Sequence, residues 1–280
     1  MSTSFDTWIG RTETAFDMIT PRQARQMAAT LGSKAASFNA GDVLPALWHW
    51  MGWANETPMA GIGPDGHPLR GGFLPPVPLE RRMWAGGRLG FHAALHIGEP
   101  LQRQSEILKV AQKSGATGDM VFVTVGHQIH GAGGLAVTEE QDIVYMAMPD
   151  QFNPPAAAIA AVDPAWADPV AMDTVRLFRF SALTFNAHRI HYDLPYATSV
   201  EKYPGLVVHG PMQAMLLMQA AQAHSAGAVP ASFKFRGIRP LFHFDALRLM
   251  GWPATDGLHS LATVIDGDIT CMHAQIGWTQ

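Results

Sequence analysis

The sequence predicts an α+β fold built from two copies of one unit, each a helix followed by an antiparallel sheet. A faint internal repeat supports this. GRLGFHAALHIGEPL (87–101) and FKFRGIRPLFHFDAL (233–247) match at Leu89/Phe235, Leu95/Leu241, Glu99/Asp245 and Leu101/Leu247. Each of these segments also opens a series of strand-like runs separated by turns. Between the two series, residues 151–173 are rich in Ala and Pro and read as a connector. The expected organisation is therefore a first half over 1–150, a linker over 151–173 and a second half over 174–280.

Composition bounds what this chain can be. Its 280 residues suffice to bury a core without disulfides or metals, and 48% are hydrophobic against 15% charged. The net charge is −4 and no Lys/Arg-rich run occurs, which speaks against a nucleic-acid partner. Cys271 is the single cysteine, so there is no disulfide framework and no thiolate zinc cage, in keeping with a reducing cytoplasm. The N-terminal MSTSFDTWIGRTETAFDMIT lacks the apolar core of a signal peptide. No run of about 18 apolar residues is present, so no membrane-spanning helix is expected.

The elements follow in order. Thr20 is a good helix N-cap, Pro21 suits the first helical position, and Gly32 can close the helix in a left-handed conformation. Ala24, Met27, Ala28 and Leu31 then form one apolar face. After the Trp-rich stretch 46–59, residues 61–78 form a long Gly/Pro-dense loop, a kind of segment that often carries function. Strands are expected over 89–96, 101–112, 119–130 and 135–148. The second half opens with VRLFRFSALTF (175–185), read as strand-like. A helix apolar nearly all round should run from Pro211 to His224, followed by strands at 231–239, 246–251, 258–265 and 269–278.

Two polar segments interrupt this apolar chain. FNAHRIHYDLPYA (185–197) gathers Asn186, His188, Arg189, His191, Tyr192 and Asp193 without a clean strand or helix period, as expected of an irregular segment beside a core. Histidine can accept and return a proton near neutral pH, and Asp193 could orient a histidine or act as a base itself. His188 and His191 lie three apart in a segment without clear helical signals, a poor start for a metal site. The second segment, GLVVHGPM (205–212), puts His209 and Gly210 just before the long apolar helix. A helix start offers unpaired N–H groups, and glycine allows close approach, so an enolate-like oxygen would be well held there.

Together with RMWAGGRLGFHAALHIGE, LAVTEEQDIVYM and FKFRGIRPLF, these segments resemble the MaoC-like (hydratase-2) hot-dog family. The nearest branch holds mitochondrial-type 3-hydroxyacyl-thioester dehydratases and the mesaconyl-C4-CoA and itaconyl-CoA hydratases. The resemblance spans about residues 10–278. It implies a double hot dog whose C-terminal half keeps the catalytic motif and whose N-terminal half has lost it. It also implies reversible addition of water across the α,β double bond of an acyl-CoA or acyl-carrier-protein thioester, with no metal or redox cofactor. A branched C5 dicarboxylic CoA is among the implied substrates, and a homodimer is the expected assembly.

By this resemblance, His191 matches the family histidine and Gly210 the glycine whose N–H meets the thioester carbonyl. The wider family has Asp five residues before the histidine and Asn three before it. This chain has Asn186 and His188 there. An amide cannot take a proton from water, so the base is His191, Asp193 or a group from elsewhere. The expected roles are His191 on the water proton, Asn186 orienting the water, and Asp193 and Tyr192 tuning His191. Arg189, Arg236 and Arg239 are candidates for a substrate carboxylate or a CoA phosphate. His188 and His209 are candidates for lining the substrate. Two rivals share this cradle: a hot-dog acyl-CoA thioesterase, and a non-catalytic acyl-thioester-binding subunit.

Overall fold

The computed structural model describes residues 5–33, 37–115 and 118–279. The first half begins with strand β1 (Thr12–Asp17) and helix α1 (Pro21–Leu31). Thr20 and Gln23 form the reciprocal capping box, Gly32 closes the helix at φ 73°, and Ala24, Met27, Ala28 and Leu31 are buried as their spacing predicts. A short 3₁₀ turn at Trp48–Met51 precedes strands β2 (Arg81–Phe91), β3 (Leu101–Gly115), β4 (Gly118–Gly131) and β5 (Gly134–Met146). The second half holds β6 (Trp166–Val170), α2 (Thr174–Leu183), α3 (Leu194–Ser199), α4 (Gly210–Ala223), β7 (Pro230–Gly237), β8 (Leu247–Thr255), β9 (Leu258–Ile265) and β10 (Ile269–Trp278).

All ten strands form one antiparallel sheet in the order β1-β3-β4-β5-β2-β7-β10-β9-β8-β6. Read outward from the centre, the two halves repeat each other strand for strand. The central pair joins β2 to β7, and its middle rung, Arg88 opposite Lys234, unites two positions that the internal repeat aligns. The repeat also fixes a turn. His96 N–H donates to Glu99 Oε1 (2.6 Å) and Phe242 N–H to Asp245 Oδ2 (2.8 Å), so each acid closes the loop before the next strand. In both halves an incoming segment docks on this loop: Leu44 N–H donates to Leu95 O and Val208 N–H to Leu241 O, both at 2.8 Å. Beyond that point the halves diverge. The second half continues into α4, where the described residues of the first half form the short 3₁₀ turns Trp48–Met51 and Met59–Gly61.

Helix α4 is buried around most of its circumference, from Met212 to Met218 and again at Ala220 and Ala221. It packs against β2, β8, β9 and β10, as a helix without a polar face must. Its one polar core residue, Gln213, is satisfied by Thr263 Oγ1, which donates to Gln213 Oε1 across 2.9 Å.

Several sequence expectations are corrected. VRLFRFSAL is helical, not extended. Asp173 caps α2 by accepting from Arg176 N–H, and Leu177, Phe180 and Ser181 form its buried face against α1. The alternation of apolar residues mimics a strand, but the cap and the packing partner select the helix. The expected strand at 89–96 lies earlier, at Arg81–Phe91, because Glu99 and its loop occupy the residues that follow. The connector 151–173 contains β6, which pairs with β8 at one edge of the sheet, and β1 at the other edge had no prediction.

Candidate active site

The 185–197 segment is irregular as expected. Phe185 has φ 49°, a 3₁₀ turn spans Arg189–His191, and α3 follows, capped by Asp193. The long Gly/Pro loop of the first half folds onto it. Arg189 N–H donates to Asp65 O (2.9 Å), and Arg189 Nη1 donates to Pro64 O (2.9 Å). Gly66 makes this contact possible. Its φ is +91°, and a Cβ there would fall 1.8 Å from Ala187 O.

The docked loop brings together residues far apart in sequence. A row of imidazoles results: His67 and His188 have ring centroids 4.2 Å apart, His188 and His191 5.5 Å, and His191 and His209 3.6 Å, the last pair stacked. His188, His191 and His209 are 5%, 7% and 1% exposed, so the row is enclosed.

Hydrogen bonds assign the ring nitrogens. His191 Nδ1 is 2.7 Å from Val207 O. A carbonyl only accepts, so Nδ1 carries the proton and Nε2 of the neutral ring keeps a free lone pair. Burial, reinforced by His209 and His188, holds the His191 pKa well below the usual histidine value, so the ring is neutral at physiological pH. His188 Nε2 donates to Glu201 Oε1 across 3.0 Å, which leaves Nδ1 free. His67 Nδ1 donates to Asp65 Oδ2 across 3.0 Å. Burial brings His67 down to about 4. Burial works against the Asp65 carboxylate, but hydrogen bonding and charge from His67 outweigh it and hold that pKa below the usual range.

Glu201 is fully buried, and its second oxygen faces Arg81 Nε at 3.3 Å. Neither Glu201 nor Arg81 was a sequence candidate, and nor were Asp65 and His67. The 61–78 loop stood out by composition alone. No spacing rule links Glu201 to His188, thirteen positions earlier.

The predicted site residues divide sharply. Asn186 Oδ1 accepts from His188 N–H (3.0 Å), which shapes the turn and leaves the amide NH₂ for another partner. Asp193 does not orient His191. Its oxygens take Tyr196 N–H (3.1 Å) and the Arg189 guanidinium (2.8 Å). The expected tuning role falls instead to Val207 O. Arg189 is committed to Asp193 and Pro64 and lies over the Tyr196 ring, so it is not a free anion-binding group. Tyr192 is exposed, and its hydroxyl donates to Ala187 O across 3.0 Å, away from His191 Nε2. His209 lies beneath His191 as a buried support. Its Nε2 meets Ser181 Oγ at 2.8 Å, and burial lowers its pKa to about 3. Arg239 donates to Pro155 O (3.0 Å), and Arg236 lies on the exposed face of β7, opposite the side that buries Phe233 and Phe235. Gly210 is half-buried at the first position of α4, directly after His209, where helix N–H groups have no intrahelical partner. A Cβ there would meet nothing closer than 3.9 Å.

Asp65, His67 and His188 bring ligand-type atoms within 4.8 Å of one another. Both Asp65 oxygens, however, already accept from His67, through its backbone N–H and its Nδ1–H, each at 3.0 Å. Two ring nitrogens then remain, fewer than the three protein ligands of a catalytic zinc site. Two surface cavities of about 590 and 370 Å³ lie elsewhere. The larger is lined by Arg88 and Glu140 and the smaller by Leu44 and Gln222; His67, His188 and His191 line neither.

Comparison with known proteins agrees with this architecture. The family model for hydroxyacyl-thioester dehydratase type 2 matches residues 47–243. A protein named mesaconyl-C(4)-CoA hydratase from Chloroflexus aurantiacus is 46% identical over 268 residues, covering 93% of each chain. A solved structure described as a MaoC-like dehydratase aligns with TM-score 0.75 at 12% identity, covering 99% of this chain and 100% of that one. A Mycobacterium tuberculosis protein described as having a double hot-dog fold aligns with TM-score 0.63 at 13% identity, covering 97% and 96%. By sequence and by fold, the chain belongs to the hydroxyacyl-thioester dehydratase type 2 family, hydro-lyases of acyl thioesters, and has the double hot-dog fold.

Proposed function

We propose that this protein reversibly hydrates an α,β-unsaturated acyl-CoA, and that mesaconyl-C4-CoA is the first substrate to test. The observation that carries the reading is the neutral, buried His191, with a free Nε2, stacked on the residue that precedes Gly210. In this reading the thioester oxygen lies on the Gly210 N–H at the start of α4, where the helix dipole favours developing negative charge. Water, oriented by the Asn186 amide, loses a proton to His191 Nε2 as its oxygen bonds to the β-carbon. The π electrons move toward the α-carbon and the thioester oxygen. The α-carbon is then protonated, and the saturated 3-hydroxyacyl thioester results. The choice of a C5 dicarboxylic CoA rests on the name of the Chloroflexus relative.

The chain would work as a homodimer in the cytoplasm. Strands β1 and β6 form the two edges of the sheet, and Phe16 on β1 is 74% exposed. Cys271 is a buried free thiol, which suits a reducing compartment. Among the described residues no helix is long and apolar enough to cross a membrane.

The test is a turnover screen of the purified protein with mesaconyl-C4-CoA, itaconyl-CoA, crotonyl-CoA and longer enoyl-CoAs, read by mass spectrometry. Gain of one water with no free thiol is the expected result. Release of CoA thiol would mean a thioesterase. Saturable binding without turnover would mean a binding subunit.

A further inference from the structure

Hydration needs two proton positions: one group takes a proton from water, and another supplies the α-carbon. His191 fills one position in the reading above. Asn186 cannot fill the other, because an amide does not exchange protons in this range. The structure places a buried carboxylate close by, but on a different residue.

Glu201, just beyond the C-cap of α3, is 1% exposed and reaches back to His188 Nε2 at 3.0 Å. Arg81, from β2, faces its other oxygen at 3.3 Å and lies 4.3 Å over the Tyr203 ring. The cation, the carboxylate and the imidazole thus form a chain, with His188 Nδ1 as its free end. We propose that His188, backed by Glu201, is the second proton-transfer group of the reaction and the acid that serves the α-carbon. The proposal rests on the hydratase reading and deepens it.

The two rings differ in the way an acid and a base must. His191 donates to a neutral carbonyl and is desolvated, which keeps it unprotonated. His188 donates instead to the buried carboxylate of Glu201. Two like groups in environments of opposite electrical sense make an acid–base pair. The charged and titratable neighbours of His188 are Glu201 on one side, Asp65 and His67 from the docked loop, and His191 and His209 along the row. Arg81 stands behind Glu201.

The step balances. Water oxygen bonds to the β-carbon and its proton goes to His191 Nε2. The π pair of the double bond takes the proton at the α-carbon from Nδ1 of His188, which enters the step as an imidazolium with its Nε2–H on Glu201. The imidazolium of His191 then returns a proton to His188 through solvent, so one water has been added and both rings are restored.

The experiment uses the full-length protein and the thioester that the wild type turns over. Wild-type turnover tests the hydratase reading, and the variants, measured against it, test this one. Glu201→Gln should lower kcat by roughly 10–10² with little change in KM, since such outer partners typically contribute that much. His188→Ala should lose at least about 10² in kcat and regain part of it with added imidazole. If Glu201→Gln does not fold, the imidazole rescue of His188→Ala decides. The proposal is overturned by a Glu201→Gln rate within about twofold of wild type, by a loss that falls on KM and leaves kcat unchanged, or by His188→Ala activity that imidazole does not raise. Wild-type activity lost to a chelator and restored by zinc would also overturn it, since His188 would then be a ligand.

Discussion

The Nδ1–H of His191 donates to the carbonyl oxygen of Val207 across 2.7 Å, so the ring proposed as catalytic is oriented by main chain and not by an acid. In the proposed mechanism Nε2 is the base, so His191→Ala should lower the hydration rate by about 10² or more. Circular dichroism should show the fold retained, and steady-state kinetics gives the rate. A near-normal rate would remove His191 from the mechanism.

Gly210 separates folding from function. A Cβ at this position has room, and alanine is the better helix former. Gly210→Ala should therefore keep or slightly raise Tm. Its methyl group would stand beside the N–H proposed to receive the thioester, so kcat/KM should fall by at least about tenfold, the scale of a weakened oxyanion donor. Thermal melts and kinetics on the same preparation test this, and a variant as active as wild type would place the carbonyl elsewhere.

Gly66 makes the opposite case. Its φ of +91° and the 1.8 Å approach of a Cβ to Ala187 O leave no room for a side chain. Gly66→Ala should push the loop off the 186–189 segment and cost about 1–3 kcal/mol of stability. Because Asp65 and His67 leave with the loop, activity should fall together with Tm. A wild-type melting curve would contradict the docking.

Buried histidines tie stability to pH. His67 and His127 are depressed to about 4 and His209 to about 3, in each case first by burial. The unfolded chain takes up protons below about 6.5, while these folded rings stay neutral. Their contribution is therefore intact above that pH and is lost as pH falls toward the folded values. Denaturant midpoints should drop between about pH 6.5 and 4. His209→Gln should flatten that slope, because one of the rings no longer takes up a proton on unfolding.

Much of the architecture was legible because it depends on local chemistry and periodicity. The Thr20 cap with Pro21 and Gly32, the all-round apolar α4 and the repeat carrying Glu99 and Asp245 are local signals, and the structure uses each of them. The segment 175–185 misled because its apolar residues alternate as in a strand. Only the Asp173 cap and the contact with α1 select the helix.

The candidate site was legible to the extent that it lies in one segment. The sequence by itself marked His188 and His191 in one polar segment and placed His209 and Gly210 at the start of a buried helix, and the family resemblance joined the two. Tertiary structure alone decided their partners. Docking of the 61–78 loop brought Asp65 and His67 to His188, and α3 returned Glu201 to the same ring. It also withdrew Asp193 to cap α3 and bind Arg189. The physical reason is that a hydrogen bond acts over about 3 Å in space and has no period along the chain. A carboxylate can therefore be absent from a motif and still stand beside the ring that needs it.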